Sequence, residues 1–133
     1  MKKTLIIIII SSLILIGGGY LGLTLLTGSK EPVLRPSTYD PGDYFVTDVK
    51  GGGSLLKTDI MIYIEDDRLL KELTANNHII RNDIIFILRN MTAEELKAEG
   101  VEETLSRAIT AKLNSEFATE SFARIYFNEF VIQ

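Results

Sequence analysis

Few side chains in this chain have the type and spacing to do chemistry. With one histidine, His78, and no cysteine in 133 residues, neither a structural zinc site nor a thiol nucleophile can be assembled. His78 falls among polar residues that interrupt a helical pattern, where a surface imidazole is the ordinary reading and a general base the rarer one. Asp66 and Asp67 are adjacent carboxylates, a pairing that hydrolases use. Here they stand just before an apolar helical repeat, where acidic residues complement the partial positive charge of a helix start. Gly51-Gly52-Gly53 lacks the Lys-Ser/Thr and the following helix of a phosphate loop, so it reads as a turn. Glu94, Glu95, Glu99, Glu102 and Glu103 form an acidic run without the ligand spacing of a calcium loop. The chain therefore reads as no enzyme, with no catalytic residue, no cofactor and no metal site.

The elements that would carry any function begin with the stretch 5–26, from Leu5 to Leu26, which holds no charge. As a helix rising about 1.5 Å per residue it would cross a hydrocarbon core of about 30 Å. Its apolar character continues beyond Gly17-Gly18-Gly19, longer than the core of about 7 to 15 residues in a removed export signal. An uncleaved anchor is thus expected, with residues 1–4 as a cytoplasmic tail and the rest exported. The charge bias is thin, since Lys2 and Lys3 on one side face Lys30 and Arg35 on the other. Gly18 and Gly22 have the small-xxx-small spacing that lets membrane helices approach closely, against the plainer reading of an ordinary anchor. Cysteine-linked lipidation is excluded.

Behind the anchor about 107 residues remain, enough for one modest core. The 14 basic residues less Lys2 and Lys3 stand against 18 acidic ones, a net charge of about −6 that disfavours nucleic acid and anionic headgroups. Proteins are the expected partners. Residues 27–42 hold all three prolines and are expected to form an extended linker. Residues 44–49 read as a short strand, and from Leu56 a strict alternation through Ile64 predicts a long strand with one buried face. Leu69, Leu70, Leu73, Asn77, Ile80, Ile84 and Leu88 recur at helical spacing, predicting a helix bent near Asn76-Asn77-His78. Thr92 and Glu95 have capping-box spacing for a short turn to Ala98, stopped by Gly100. A second helix follows, with Val101, Leu105, Ala108, Ile109, Lys112, Leu113 and Phe117 inward, and Ser106 among the outward residues. The closing stretch 122–132 is aromatic and β-branched, a strand expected to be central or covered. These elements predict an α+β domain over 43–133, helices packed on a mostly antiparallel sheet.

Several of these segments carry a resemblance. The anchor behind Met1-Lys2-Lys3, the alternating strand, the stretch Ile79-Ile80-Arg81-Asn82-Asp83-Ile84-Ile85-Phe86-Ile87-Leu88 and Thr92-Ala93-Glu94-Glu95-Leu96 with Gly100 contribute to it. So do Leu113-Asn114 and the ending Ile125-Tyr126-Phe127-Asn128-Glu129-Phe130-Val131-Ile132-Gln133. Together they resemble the FliL family of flagellar basal-body-associated proteins. The resemblance implies a single-pass protein of the bacterial inner membrane, its N-terminus cytoplasmic and its periplasmic domain similar to the stomatin and prohibitin domain. It further implies a homo-oligomeric ring around the ion-conducting stator units, beside the basal-body membrane ring, that supports stator recruitment or activation and hence torque and motility. A ring needs two different patches on each copy. Charge complementarity directs that expectation to Arg81 and Arg89 on one copy and Glu94, Glu95, Glu99, Glu102 and Glu103 on the next. The alternative is a membrane-anchored periplasmic ligand-binding or envelope-assembly module unrelated to the motor, which as a binding module would require a concave apolar pocket.

Overall fold

A computed structural model describes residues 31–133 of the chain. The expected anchor at 5–26, with the pair Gly18 and Gly22, and residues 27–30 of the linker lie outside the described residues. Among the described residues no helix is long and apolar enough to cross a membrane.

Residues 34–133 form one compact α+β unit of two layers. Its centre is β3, Leu55–Ile64, whose alternation puts Leu56, Thr58, Ile60, Ile62 and Ile64 wholly inside. Along one side of β3 run β1, Ser37–Tyr39, and β2, Phe45–Asp48, both antiparallel to it. Along the other runs β4, Phe122–Ile132, also antiparallel. Gly51, Gly52 and Gly53 all have positive φ, which makes the tight link between β2 and β3 inexpensive. From the start of that link Lys50 forms an isolated parallel bridge with Thr92.

The helical layer covers the inner face. A 3-10 turn, Asp67–Leu69, leads into α1, Leu70–Ala75, and α2, Asn77–Arg89, follows after a break at Asn76. The break falls where polar residues were expected to bend a single helix. Helix α2 buries Ile80, Ile84 and Leu88, so the run Ile84-Ile85-Phe86-Ile87-Leu88 is helix as its phase predicted. The short α3, Ala93–Leu96, ends before Ala98, and Gly100 adopts φ 75 just ahead of α4, Val101–Glu116. α2 packs over β2 and α4 over β4, with the two helices side by side. Leu73, Ile80, Ile84, Leu88, Leu105, Ile109 and Leu113 meet the β3 row to form the core.

Three expectations need correction. The extended backbone foreseen for 27–42 is extended at Ser37–Tyr39 as a paired strand, with Tyr39 opposite Ile62, so this end of the proline-rich stretch belongs to the sheet. Strand β4 is not central: among the described residues it pairs with β3 alone, and its inner face is the more deeply covered of the two. It looked apolar on both faces because register shifts between Asp59 and Ile60 and between Tyr63 and Ile64 reset its phase. Phe122, Ile125, Phe127, Phe130 and Ile132 are thereby all aligned with the buried residues of β3. On α4, Ala108 is exposed and Ser106 is buried, the reverse of their expected placement.

Candidate functional site

Several of the side chains singled out for chemistry have a structural occupation. Asp66 accepts a hydrogen bond from the Arg68 backbone N–H at 3.1 Å, capping the 3-10 turn, and pairs with the Arg68 guanidinium at 2.7 and 2.6 Å. That guanidinium holds the Asp66 carboxyl below the usual carboxylate range. His78 is exposed on α2. Among the described residues no group of three or more histidine or acidic side chains converges as a metal site. The interior between helices and sheet is filled by side chains at or near zero exposure, and the surface hollows are open to solvent.

The residues expected at an interface divide into two groups. Arg81 is used within its own chain: its guanidinium donates to the carbonyls of Pro41 at 3.2 Å and Asp43 at 2.8 Å, and lies 4.3 Å from the Phe45 ring centre. Asn77 adds a bond to the Pro41 carbonyl, and the buried Tyr39 hydroxyl shares its one proton between Asn77 Oδ1 at 2.9 Å and the Leu73 carbonyl at 3.1 Å. Burial raises the Tyr39 phenol above its ordinary range. Residues 39–45 are thus strapped to α1 and α2. Glu95 closes the capping box: Thr92 N–H donates to Glu95 Oε2 at 2.8 Å and Thr92 Oγ1 accepts from Glu95 N–H at 3.2 Å. The bond from the Thr92 backbone holds the Glu95 carboxyl below its usual range. Glu103 pairs with Arg124 at 3.3 Å. Arg89, Glu94, Glu99 and Glu102 are exposed and make no ion pair within the described residues.

Arg89 has apolar company that periodicity did not reveal. Phe86, one turn earlier on α2, is 65% exposed, and Val46 and Leu55 are 59% and 45% exposed. Two adjoining grooves join them: Asn82, Ile85, Phe86, Arg89 and Asn90 line one, and Ile85 and Arg89 also line the other beside Val46 and Leu55. Phe86 could have been noticed as the large apolar residue out of phase with the Ile80, Ile84, Leu88 stripe. Leu55 likewise stands out of phase with the buried row from Leu56 to Ile64, whereas Val46 lies in a four-residue strand too short to show a period. On the opposite side of the domain, beside β4, a hollow is lined by Ala98, Gly100, Val101, Glu102, Glu103 and Arg124.

Two further side chains escaped notice because they serve the backbone. Asn114 accepts from the Phe122 N–H at 2.9 Å and donates to the Phe122 carbonyl at 3.0 Å, standing in for a neighbouring strand. Ser106 Oγ accepts from the buried Ile125 N–H at 2.9 Å. Between α2 and α4, Asp83 is almost buried, with Oδ1 3.5 Å from Lys112 Nζ and Oδ2 without a hydrogen bond. Lys112 also meets Glu116 at 2.9 Å, and that bond raises its ammonium above the ordinary range.

Comparison with known proteins gives this architecture a context. The family model described as "Flagellar basal body-associated protein FliL" matches residues 38–133. That span starts within β1 and takes in every later element. The "Flagellar protein FliL" of Aquifex aeolicus (strain VF5) is 26% identical over 77 residues. The alignment covers 58% of this chain and 48% of the relative, so it spans about half the relative's length.

Proposed function

Because the chain belongs to the FliL family, shown by the match across 38–133, we propose that it is a non-catalytic accessory of the flagellar motor. In this reading the stretch 5–26 anchors it in the inner membrane and the α+β domain stands in the periplasm. Copies associate as a ring around the ion-conducting stator units beside the basal body and support stator recruitment or activation. The family match is the observation that carries the reading. Two features of the domain are consistent with it: polar and charged side chains occupied with holding the fold, and contrasting surfaces on the two sides of the sheet.

The test is genetic. Deleting the gene and restoring it in trans should reduce and then recover swimming under load or on surfaces, with stator occupancy of the motor following the same course. Unchanged motility and unchanged stator occupancy after deletion would overturn the reading.

A further inference from the structure

The two contrasting surfaces lie where a head-to-tail assembly would need them. On one side of β3, the strip formed by Val46, Leu55, Ile85 and Phe86 around Arg89 flanks β2. On the other, beside β4, the hollow of Ala98, Gly100, Val101 and Glu102 is edged by the Glu103 and Arg124 pair. We propose that Phe86 of one copy seats in that hollow on the next copy, with Arg89 directed at Glu99 and Glu102. This deepens the ring reading above and rests on it, by naming both faces of the contact and the occupant as a second copy of this chain.

Three observations carry the assignment. Phe86 and Arg89 are three residues apart, so they rise from one face of α2 as an apolar knob beside a cation. An aromatic at 65% exposure with two further exposed aliphatic residues along the adjoining grooves forms an apolar patch of the kind that contacts protein. The complement is present on the same chain: Ala98 and Val101 are the apolar residues lining the hollow, and Glu99 and Glu102 give carboxylates that make no ion pair within the described residues. Since β2 and β4 flank β3 on opposite sides, the knob and the hollow cannot satisfy each other within one copy. A contact between unlike patches repeats from copy to copy, closing into a ring or running into a filament. Arg89, unlike Arg81, is free to make it.

The absence of cysteine makes the test direct. The full-length chain carrying both Phe86→Cys and Ala98→Cys is oxidised in native membranes and run without reductant. A ladder of cross-linked copies from the double variant, with no ladder from either single variant, is the expected result. In parallel, Arg89→Glu should weaken self-association of the detergent-solubilised full chain by about tenfold or more, and adding Glu99→Arg with Glu102→Arg should restore it. Circular dichroism of each variant checks that the fold is kept. A monomeric wild-type chain, a ladder from a single variant, or wild-type association in the folded Arg89→Glu and Phe86→Ser variants would overturn the proposal. Loss of stator co-purification with self-association intact would also overturn it, by assigning the strip to a different protein. Failure here with motility still dependent on the gene leaves the motor reading standing; cross-linking as expected with motility indifferent to the gene removes the motor reading alone.

Discussion

Replacing Asn114 by alanine should cost far more than a residue on a helix near its end ordinarily would. Its side chain supplies both halves of a strand-like pairing to Phe122, at 2.9 and 3.0 Å, where β4 begins and where no further strand among the described residues adjoins it. The alanine variant leaves a donor and an acceptor without partners in a partly buried place. At about 1–3 kcal/mol for each unsatisfied group, and with some access for water, a loss of about 2–4 kcal/mol is expected. Against a total of about 5–15 kcal/mol for a domain of this kind, that is a large share. Asn114→Asp separates the two bonds, because a carboxylate still accepts from the Phe122 N–H but cannot donate to its carbonyl. Its loss at neutral pH should be comparable to that of alanine or smaller. Lower pH adds a signature: a protonated carboxyl can donate again, which raises the folded-state pKa of this aspartate. Relative to wild type, its stability should therefore recover below the carboxylate range and fall as pH rises through it. Ser106→Ala removes one buried acceptor from Ile125 and should cost about 1–3 kcal/mol, nearly additive with Asn114→Ala because the two sites are over two turns apart. Urea unfolding of the full chain in detergent, followed by circular dichroism, reads these three variants and the double variant of Ser106→Ala with Asn114→Ala. A change below about 0.5 kcal/mol for Asn114→Ala would refute the idea that α4 replaces a missing strand neighbour.

Other perturbations follow from the same contacts. Arg81→Ala should release the strap on residues 39–45 and lower stability by about 1–3 kcal/mol, with faster amide exchange at Tyr39 and Phe45 than elsewhere in the sheet. Thr92→Ala removes the cap of α3 at a cost of about 1 kcal/mol in urea unfolding. The Glu95 carboxyl is held below its ordinary range, so its contribution is present above that range and is lost as pH falls through it. In Thr92→Ala this acid-side loss should be smaller, as a pH series of unfolding midpoints would show. Lys112→Met should leave the Asp83 carboxylate nearly buried without its cation and lower the urea midpoint. Adding Asp83→Asn should recover part of that loss in the same assay.

Much of the fold was legible because its core obeys simple periods. The alternation from Leu56 to Ile64 placed the central strand and its buried face, and the stripe through Ile80, Ile84 and Leu88 placed α2. Thr92 and Glu95 made the capping box their spacing foretold. The rest was hidden where a local pattern depends on a distant partner. Two register shifts in β4 disguised an edge strand as one apolar on both faces. Ser106 read as an outward polar residue because nothing near it in sequence tells that Ile125 will present an N–H to it. Ser37–Tyr39 read as linker because three residues beside a proline carry no period of their own, and only the far end of β3 makes them a strand. The occupation of Arg81 was the least legible. Charge alone drew Arg81 and Arg89 together, while the carbonyls of Pro41 and Asp43 that claim Arg81 lie about 40 positions away in sequence.

The central claim is that this chain acts by touching neighbours in the flagellar motor. Affinity purification of the full-length protein from native membranes, with mass spectrometry of what accompanies it and native mass measurement of its own assembly, tests that most directly. The account predicts several copies of the chain recovered together with the stator proteins. A chain recovered as single copies, free of every stator and basal-body component, would contradict it.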